Sequence, residues 1–427
     1  MNVYIERRKK LVKNVKNNSL VIIFGSRDRY RNNDVKYRFR QNSNFLYLTG
    51  INEPNAICII EKTKIGEPIT SVFSKKKNKK ETIWDDSIIG QEELIKSYSI
   101  DYAFSINHFE EKISSFAKDK DFLYYISENK KYYKKYLSNL LKNGSKNNNT
   151  TFLNINEVVN DQRLIKDGIE VSLMKESSRI SSIAHLELLN KIKPGVMEYQ
   201  LESVFLKSCM DLGAREQAYN PIFASGDNAC VLHYSKNTNQ LNNNDLILID
   251  AGCEYKGYAS DITRTYPIGG TFNNEQKIIY EIVLHAQKEA IKQCLVGKNW
   301  NDINAIIIKV ISEGLSYFQI VKAHPEEIKE RKLYKDFYMH SPGHWLGLDV
   351  HDSGNYKKNG SWCPFQKNMC LTIEPGIYIN KKNNVVQEKW KGIGIRIEDD
   401  ILITEKQCEI LSMPVPKEIE EVEHAIK

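Results

Sequence analysis

The spacing of hydrophobic positions changes near residue 163. Before it, short apolar runs alternate with polar stretches. Ser19 to Gly25, Ala56 to Glu61, Thr70 to Phe73 and Phe122 to Ile126 have the length and branched-residue content of strands. Glu6 to Lys16, Gln91 to Lys96 and Lys130 to Lys142 read as helices between them, and the alternation predicts an α/β domain over residues 1–163. The apolar-free stretch Asn143 to Thr151, NGSKNNNTT, predicts a surface loop.

From residue 164 to 427 the pattern is helical first and strand-rich later. Val171, Met174, Ile180, Ile183 and Leu186 recur near helical spacing in a helix that opens by Gly168, so helices are expected over 169–191 and 198–212. LILIDAG at 246–252 reads as a buried strand, and GYASDITRTYPI at 257–268 as its hairpin partner beyond the Gly257 turn. A helical region follows over 273–321, and strands over 368–374, 377–380 and 393–403 close the chain. Asp250 and Asp261 then lie on one strand pair, Glu374 and Glu398 on a second. That symmetry predicts a folded-over sheet with its acidic residues held between the halves, although no repeat is visible in the residues themselves.

Composition changes this picture little. The 427 residues suffice for two or more cores, and 41% hydrophobic with 27% charged residues is ordinary for a soluble globular chain. The formal charge of +7 raises the question of nucleic acid. Lysine and asparagine are spread along the whole chain, however, and the basic runs at Lys75–Lys80 and Lys130–Lys135 are short and far apart, so a solvated surface is the simpler reading. Cys58, Cys209, Cys230, Cys253, Cys294, Cys363, Cys370 and Cys408 form no CxxC pair and read as reduced core residues. The first apolar run, Leu20 to Phe24, is too short and too late for a signal peptide, and no segment reaches membrane-spanning length. A cytoplasmic protein with no membrane and no nucleic-acid partner is expected.

The candidate chemistry lies in five residues. Asp250 closes the apolar run LILID, and a buried carboxylate needs a partner. Alone it would read as a cap or half of an ion pair. Asp261, on what would be the adjacent strand, puts a second negative charge nearby, and the two repel unless a cation sits between them. His340, His344 and His351 fall within MHSPGHWLGLDVHD, where Pro342 and Gly343 argue for a loop or strand; the segment does not resemble a helical HExxH site. Glu374 precedes the turn residues Pro375 and Gly376. Glu398 follows an alternating strand whose Ile393, Ile395 and Ile397 share one face, leaving Arg396 on the other face with Glu398. Four carboxylates and one imidazole suit a pair of divalent cations such as Mn²⁺, Co²⁺ or Zn²⁺. Two such ions activate water and stabilise the intermediate of a hydrolysis, so a metallohydrolase is expected.

AYNPIFASGDNACVLHY, LILIDAGCEYKGYASDITRT, MHSPGHWLGLDVHD, LTIEPGIYI and GIGIRIEDDILIT resemble, in that order, the aminopeptidase P branch of the pita-bread metallopeptidases. RFRQNSNFLYLTGINEP resembles that branch's N-terminal domain, so the resemblance covers nearly the whole chain. It implies an α/β (α+β) protein: a creatinase-like N-terminal domain over 1–163 and a catalytic pita-bread domain over 164–427. It implies one metal on Asp261, His344, Glu374 and Glu398 and another on Asp250, Asp261 and Glu398, with Mn²⁺ the usual ion and Co²⁺ or Zn²⁺ alternatives. Glu374 would shuttle a proton, and His233, His340 and His351 would line the substrate site. Arg396 and Tyr219 would stand behind Asp250. Asp34 and Trp84 would help close the site, Trp84 across a subunit interface of a homotetramer or dimer. The implied reaction releases the first residue of peptides with proline second. A prolidase acting on Xaa-Pro dipeptides, or a binding module that has lost its metals, are the alternatives.

Overall fold

The computed structural model describes residues 2–62, 67–78, 83, 88–126, 137 and 151–426. The expected helix at Lys130–Lys142 and loop at Asn143–Thr151 lie outside these residues except for their positions 137 and 151. The chain divides into two compact units, Met1–Arg163 and Leu164–Lys427.

The first unit is built on a six-stranded sheet of β1 (Ser19–Phe24), β2 (Ile57–Lys62), β3 (Pro68–Ser74), β4 (Tyr102–Ser105), β5 (Phe122–Ile126) and β6 (Thr151–Asn154). Their order is β4-β3-β2-β1-β5-β6. β2 runs antiparallel to both its neighbours, whereas β1, β5 and β6 are mutually parallel and β4 is parallel to β3. Every residue of β1, SLVIIF, is buried, as a central strand covered on both faces requires. Leu20, Ile22, Ile59 and Phe73 pack with Phe109 and Ile113 into this unit's core. The latter two come from α4 (Phe109–Ala117), which follows α1 (Val3–Lys13), α2 (Ser43–Thr49) and α3 (Gln91–Tyr98).

After α5 (Asn156–Leu164), the second unit opens with α6 (Gly168–Leu189), capped by Asp167 in a capping box with Glu170, and α7 (Glu198–Asp211). An antiparallel sheet of β7 (Ile222–Ser225), β8 (Leu246–Asp250) and β9 (Thr263–Pro267) follows, in that order across the sheet. The expected partner of β8 is therefore split. Thr263–Pro267 pairs with β8, but Tyr258–Ala259 pairs with Cys253–Tyr255 in a separate short ribbon, and Asp261 lies between the two. The expected single helical region is also two helices, α8 (Asn274–Ile291) and α9 (Trp300–Tyr317).

The closing strands form one long hairpin with a break in each arm. β10 (Cys370–Ile373) and β11 (Gly376–Ile379) make one arm; β12 (Ile393–Arg396) and β13 (Asp399–Ile403) make the other. β11 pairs with β12, β10 with β13, and β13 also carries β14 (Cys408–Ile410). Glu374–Pro375 and Ile397–Glu398 occupy the breaks, so Pro375 interrupts the ladder without reversing the chain. The two carboxylates expected on strands sit at these joints. The broken arm is stitched to β9: Glu398 N–H donates to Thr263 O at 3.0 Å. In the main core of the unit, Ile180, Phe205, Val283 and Ile307 from the helices pack with Ile247, Ile373 and Ile395 from the strands, and a smaller cluster gathers Ile222, Ala224, Leu248 and Tyr378.

Candidate metal centre

Each candidate ligand is delivered by a strand end or a loop pinned to a strand. Asp250 is the last residue of β8, in register with Thr263 on one side and Ile222 on the other. Asp261 is held by its backbone: its N–H is shared by the two oxygens of the buried Asp400 at 3.1 and 3.2 Å. His344 is fixed by reciprocal bonds with Thr372, its N–H donating to the hydroxyl at 3.1 Å and its carbonyl accepting the Thr372 N–H at 2.9 Å. Two glycines permit this approach of backbones. A Cβ at Gly252 would lie 1.8 Å from Ser260 O, and one at Gly343 2.0 Å from Thr372 O. What both glycines supply is space.

These elements bring Asp250, Asp261, His344, Glu374 and Glu398 to one cavity of about 340 Å³, lined also by Tyr219, His233, His340, His351 and Arg396. Ligand atoms of Asp261, His344 and Glu398 all lie within 4.8 Å of one another. His344 Nδ1 donates to Trp345 O at 3.0 Å, which turns Nε2 toward Asp261 Oδ2 at 3.3 Å and Glu374 Oε1 at 3.6 Å. Tyr219 donates its single hydroxyl proton between Asp250 Oδ1, 2.6 Å away, and Asp261 Oδ1, 2.5 Å away. Arg396 Nη2 donates to Asp250 Oδ2 at 2.5 Å, so its hydrogen bond goes to Asp250, while Glu398, two residues along the chain, feels only its charge.

The electrostatics are those of crowded buried anions. Burial, reinforced by the charges of Asp261, Glu374 and Asp250, pushes Glu398 well above the usual carboxylate range. Burial likewise raises Glu374 to about 7 and raises Asp250, though Arg396 opposes both shifts. Burial also acts to raise Asp261, but the His344 hydrogen bond and charge outweigh it and leave that carboxyl below its ordinary value. For His344, burial opposes protonation; its Asp261 partner and the Glu374 charge hold it at about 9. Divalent cations fit this donor set, because they supply positive charge to four converging carboxylates that otherwise recruit protons.

The other expected residues are distributed unequally. His340 lies at the cavity wall with both ring nitrogens engaged, Nδ1 donating to Ser341 O at 2.8 Å and Nε2 accepting from Tyr378 Oη at 2.9 Å. Burial and the Arg396 charge lower it to about 4. His351 stacks edge-on to His344 with ring centres 4.3 Å apart, and burial and that neighbour lower it. Asp34 sits exposed in the turn between the short strands Tyr30–Asn32 and Val35–Lys36 of the first unit. Trp84 lies outside the described residues.

Three contributors carry no isolated signal in the sequence. Tyr378 accepts from Arg396 Nη1 at 2.9 Å while donating to His340. Thr263 donates its hydroxyl to Glu398 Oε2 at 2.5 Å. Asp400 is the third, in an acidic run that would ordinarily face solvent, yet Asp399 and Asp400 are fully buried.

A cluster of four carboxylates and one imidazole, held on strands that pack against helices α6 to α9, defines a metallopeptidase of the pita-bread class. The chain belongs to metallopeptidase family M24, whose profile matches residues 172–405, and the aminopeptidase P N-terminal domain matches residues 4–125. The Xaa-Pro aminopeptidases of Haemophilus influenzae and Escherichia coli are 38% and 35% identical to it, each match covering 98% of this chain and 96% of the relative. Among solved structures, the aminopeptidase PepP of Pseudomonas aeruginosa superimposes with a TM-score of 0.95 at 37% identity, covering 99% of this chain and 97% of that one. The E. coli aminopeptidase P bound to the inhibitor Pro-Leu has the same TM-score at 34% identity, with the same coverage.

Proposed function

We propose that this chain is a metal-dependent aminopeptidase that releases the N-terminal residue from peptides whose second residue is proline. The observation that carries the reading is the convergence of Asp250, Asp261, His344, Glu374 and Glu398 on one cavity, in a chain whose full-length relatives are Xaa-Pro aminopeptidases. Asp261, His344, Glu374 and Glu398 would hold one divalent ion, and Asp250, Asp261 and Glu398 the other. When bound, the ions supply Lewis acidity for the scissile carbonyl and a lowered pKa for water. Mn²⁺ is the ion we assign; an E. coli relative is also known in a zinc-substituted form with product.

The chain's own residues then divide the work. Glu374, facing the cavity from the joint of its arm, is placed to take a proton from water and deliver it to the proline nitrogen. His233 and His351 have no hydrogen-bond partner among the described residues, which leaves their N–H groups to meet an oxyanion. His340, with both nitrogens engaged, shapes the wall instead. Arg396 and Tyr219 fix Asp250 by hydrogen bonds on separate oxygens. We further propose a cytoplasmic homo-oligomer, a tetramer or dimer, in which Trp84 and Asp34 help close the site.

The test compares an Xaa-Pro-Xaa tripeptide with the matching Xaa-Pro dipeptide in Mn²⁺, after chelation, and after Mn²⁺ is restored. Tripeptide preference, abolished by chelator and recovered with Mn²⁺, is expected. Dipeptide preference would make the protein a prolidase with the same site. Absence of metal-dependent cleavage would overturn the catalytic reading in favour of a binding module.

A further inference from the structure

One wall of the cavity is built from Leu232, His233, Tyr234 and Ser235, in the long connection from β7 to β8. Little regular structure supports it: a 3₁₀ turn at Gly226–Cys230 is followed by irregular chain. The support comes from one buried carboxylate outside the cavity. Glu198, the first residue of α7, is fully buried, and its Oε1 accepts the Ser225 N–H and hydroxyl, both at 2.7 Å, and Asn228 Nδ2 at 3.4 Å. Its Oε2 accepts the Tyr234 hydroxyl at 2.8 Å and the Asn239 N–H at 2.9 Å. Among the described residues its partners are all neutral donors. They fall before, within and after the wall segment, so one side chain fixes both its ends and its middle.

A second carboxylate on the same helix face repeats the pattern. Glu202 Oε2 accepts Asn237 Nδ2 at 2.9 Å, and Asn237 Oδ1 in turn accepts the Phe223 N–H at 3.0 Å. Like charges four residues apart weaken a helix by themselves. Here the donors of residues 223–239 satisfy both, and the helix N-terminus favours the anion at Glu198. None of the five candidate metal ligands lies in residues 223–239.

We propose that Glu198 is a positioning residue that holds the His233 wall against the substrate. The inference rests on the peptidase reading of the cavity. Wild-type tripeptide hydrolysis tests that reading; variants measured against wild type test this one. Glu198→Gln puts an amide donor among donors. We expect it to lower kcat/KM for the tripeptide about 10- to 100-fold while Mn²⁺ affinity, followed by calorimetric titration, stays within about twofold. Ser225→Ala removes a single donor and should lower kcat/KM about threefold, giving a milder reading if the first variant folds poorly. On a His233→Ala background, Glu198→Gln should cost less than about threefold, because its effect passes through that wall. Unchanged kcat/KM in both single variants overturns the proposal. So does a fall in Mn²⁺ affinity that matches the fall in kcat/KM, or full additivity with His233→Ala, since either would mean general support of the fold.

Discussion

His185 is buried in α6 with Nε2 donating to Ala251 O at 2.9 Å and Nδ1 without a partner, so the folded chain holds a neutral ring. Burial lowers it to about 4. The unfolded chain binds the proton more readily, so stability contributed by the neutral ring is complete at neutral pH and is lost as pH falls from about 6.5 to about 4. The loss is on the order of 3 kcal/mol. Urea unfolding of wild type and His185→Gln from pH 7 to 4.5 should show a shallower decline in the variant; parallel curves would remove His185 from the account. Arg396 makes a second prediction. Its fork reaches Asp250, Tyr378 and Thr263 at once, which lysine cannot reproduce. Arg396→Lys should weaken Mn²⁺ binding about 10- to 100-fold by calorimetric titration, with little change in the folded-state circular dichroism. The sequence was informative about such residues only where chemistry broke a pattern. A charge ending LILID or three histidines in twelve residues stands out; a threonine or tyrosine on a buried strand is what any strand contains, so Thr263 and Tyr378 were invisible.

The loop from His344 to His351 depends on a contact at the element scale. Lys166, just ahead of α6, donates Nζ to Asp352 Oδ2 at 3.1 Å, with both side chains essentially inaccessible. The Asp352 carboxylate lies so close to Gly347 that a Cβ there would be 2.1 Å away. Asp352 N–H donates to Trp345 O at 2.8 Å, closing the loop on itself. Lys166→Met removes the buried cation 3.1 Å from the Asp352 carboxylate and should cost about 3–5 kcal/mol in urea unfolding. Lys166→Met with Asp352→Leu should recover much of that loss; a double variant as unstable as the sum of the singles would show that the pair is not coupled. This pair links residues 186 positions apart, and no local period marks it. Local patterns found the strands because alternation and apolar runs are properties of neighbours. They separated the first arm at Pro375, but read 393–403 as one strand and so missed the break at Ile397–Glu398, where Glu398 bridges to Thr263 at the β9 edge. The join between α8 and α9 was legible in principle: Gly297 has φ +90° and Asn299 forms a capping box with Asp302.

At the scale of the molecule, the two units have separate hydrophobic cores, one drawn from residues 20–137 and the other from residues 164–422. All five candidate ligands belong to the second. A ligand that binds only the folded form of one unit stabilises that unit by an amount set by its concentration over Kd, about 2.7 kcal/mol at a hundredfold excess. Mn²⁺ should therefore raise the melting transition of Leu164–Lys427 and leave that of Met1–Arg163 in place. Tryptophan fluorescence separates the two, because Trp300, Trp345, Trp362 and Trp390 lie in the second unit and only Trp84 in the first. Calorimetry should then show one moving transition that coincides with the fluorescence change, and Asp261→Asn should abolish the movement. If both transitions rose together with Mn²⁺, the cation would be stabilising the chain as one cooperative body, and the metal centre would not be an affair of the second unit alone.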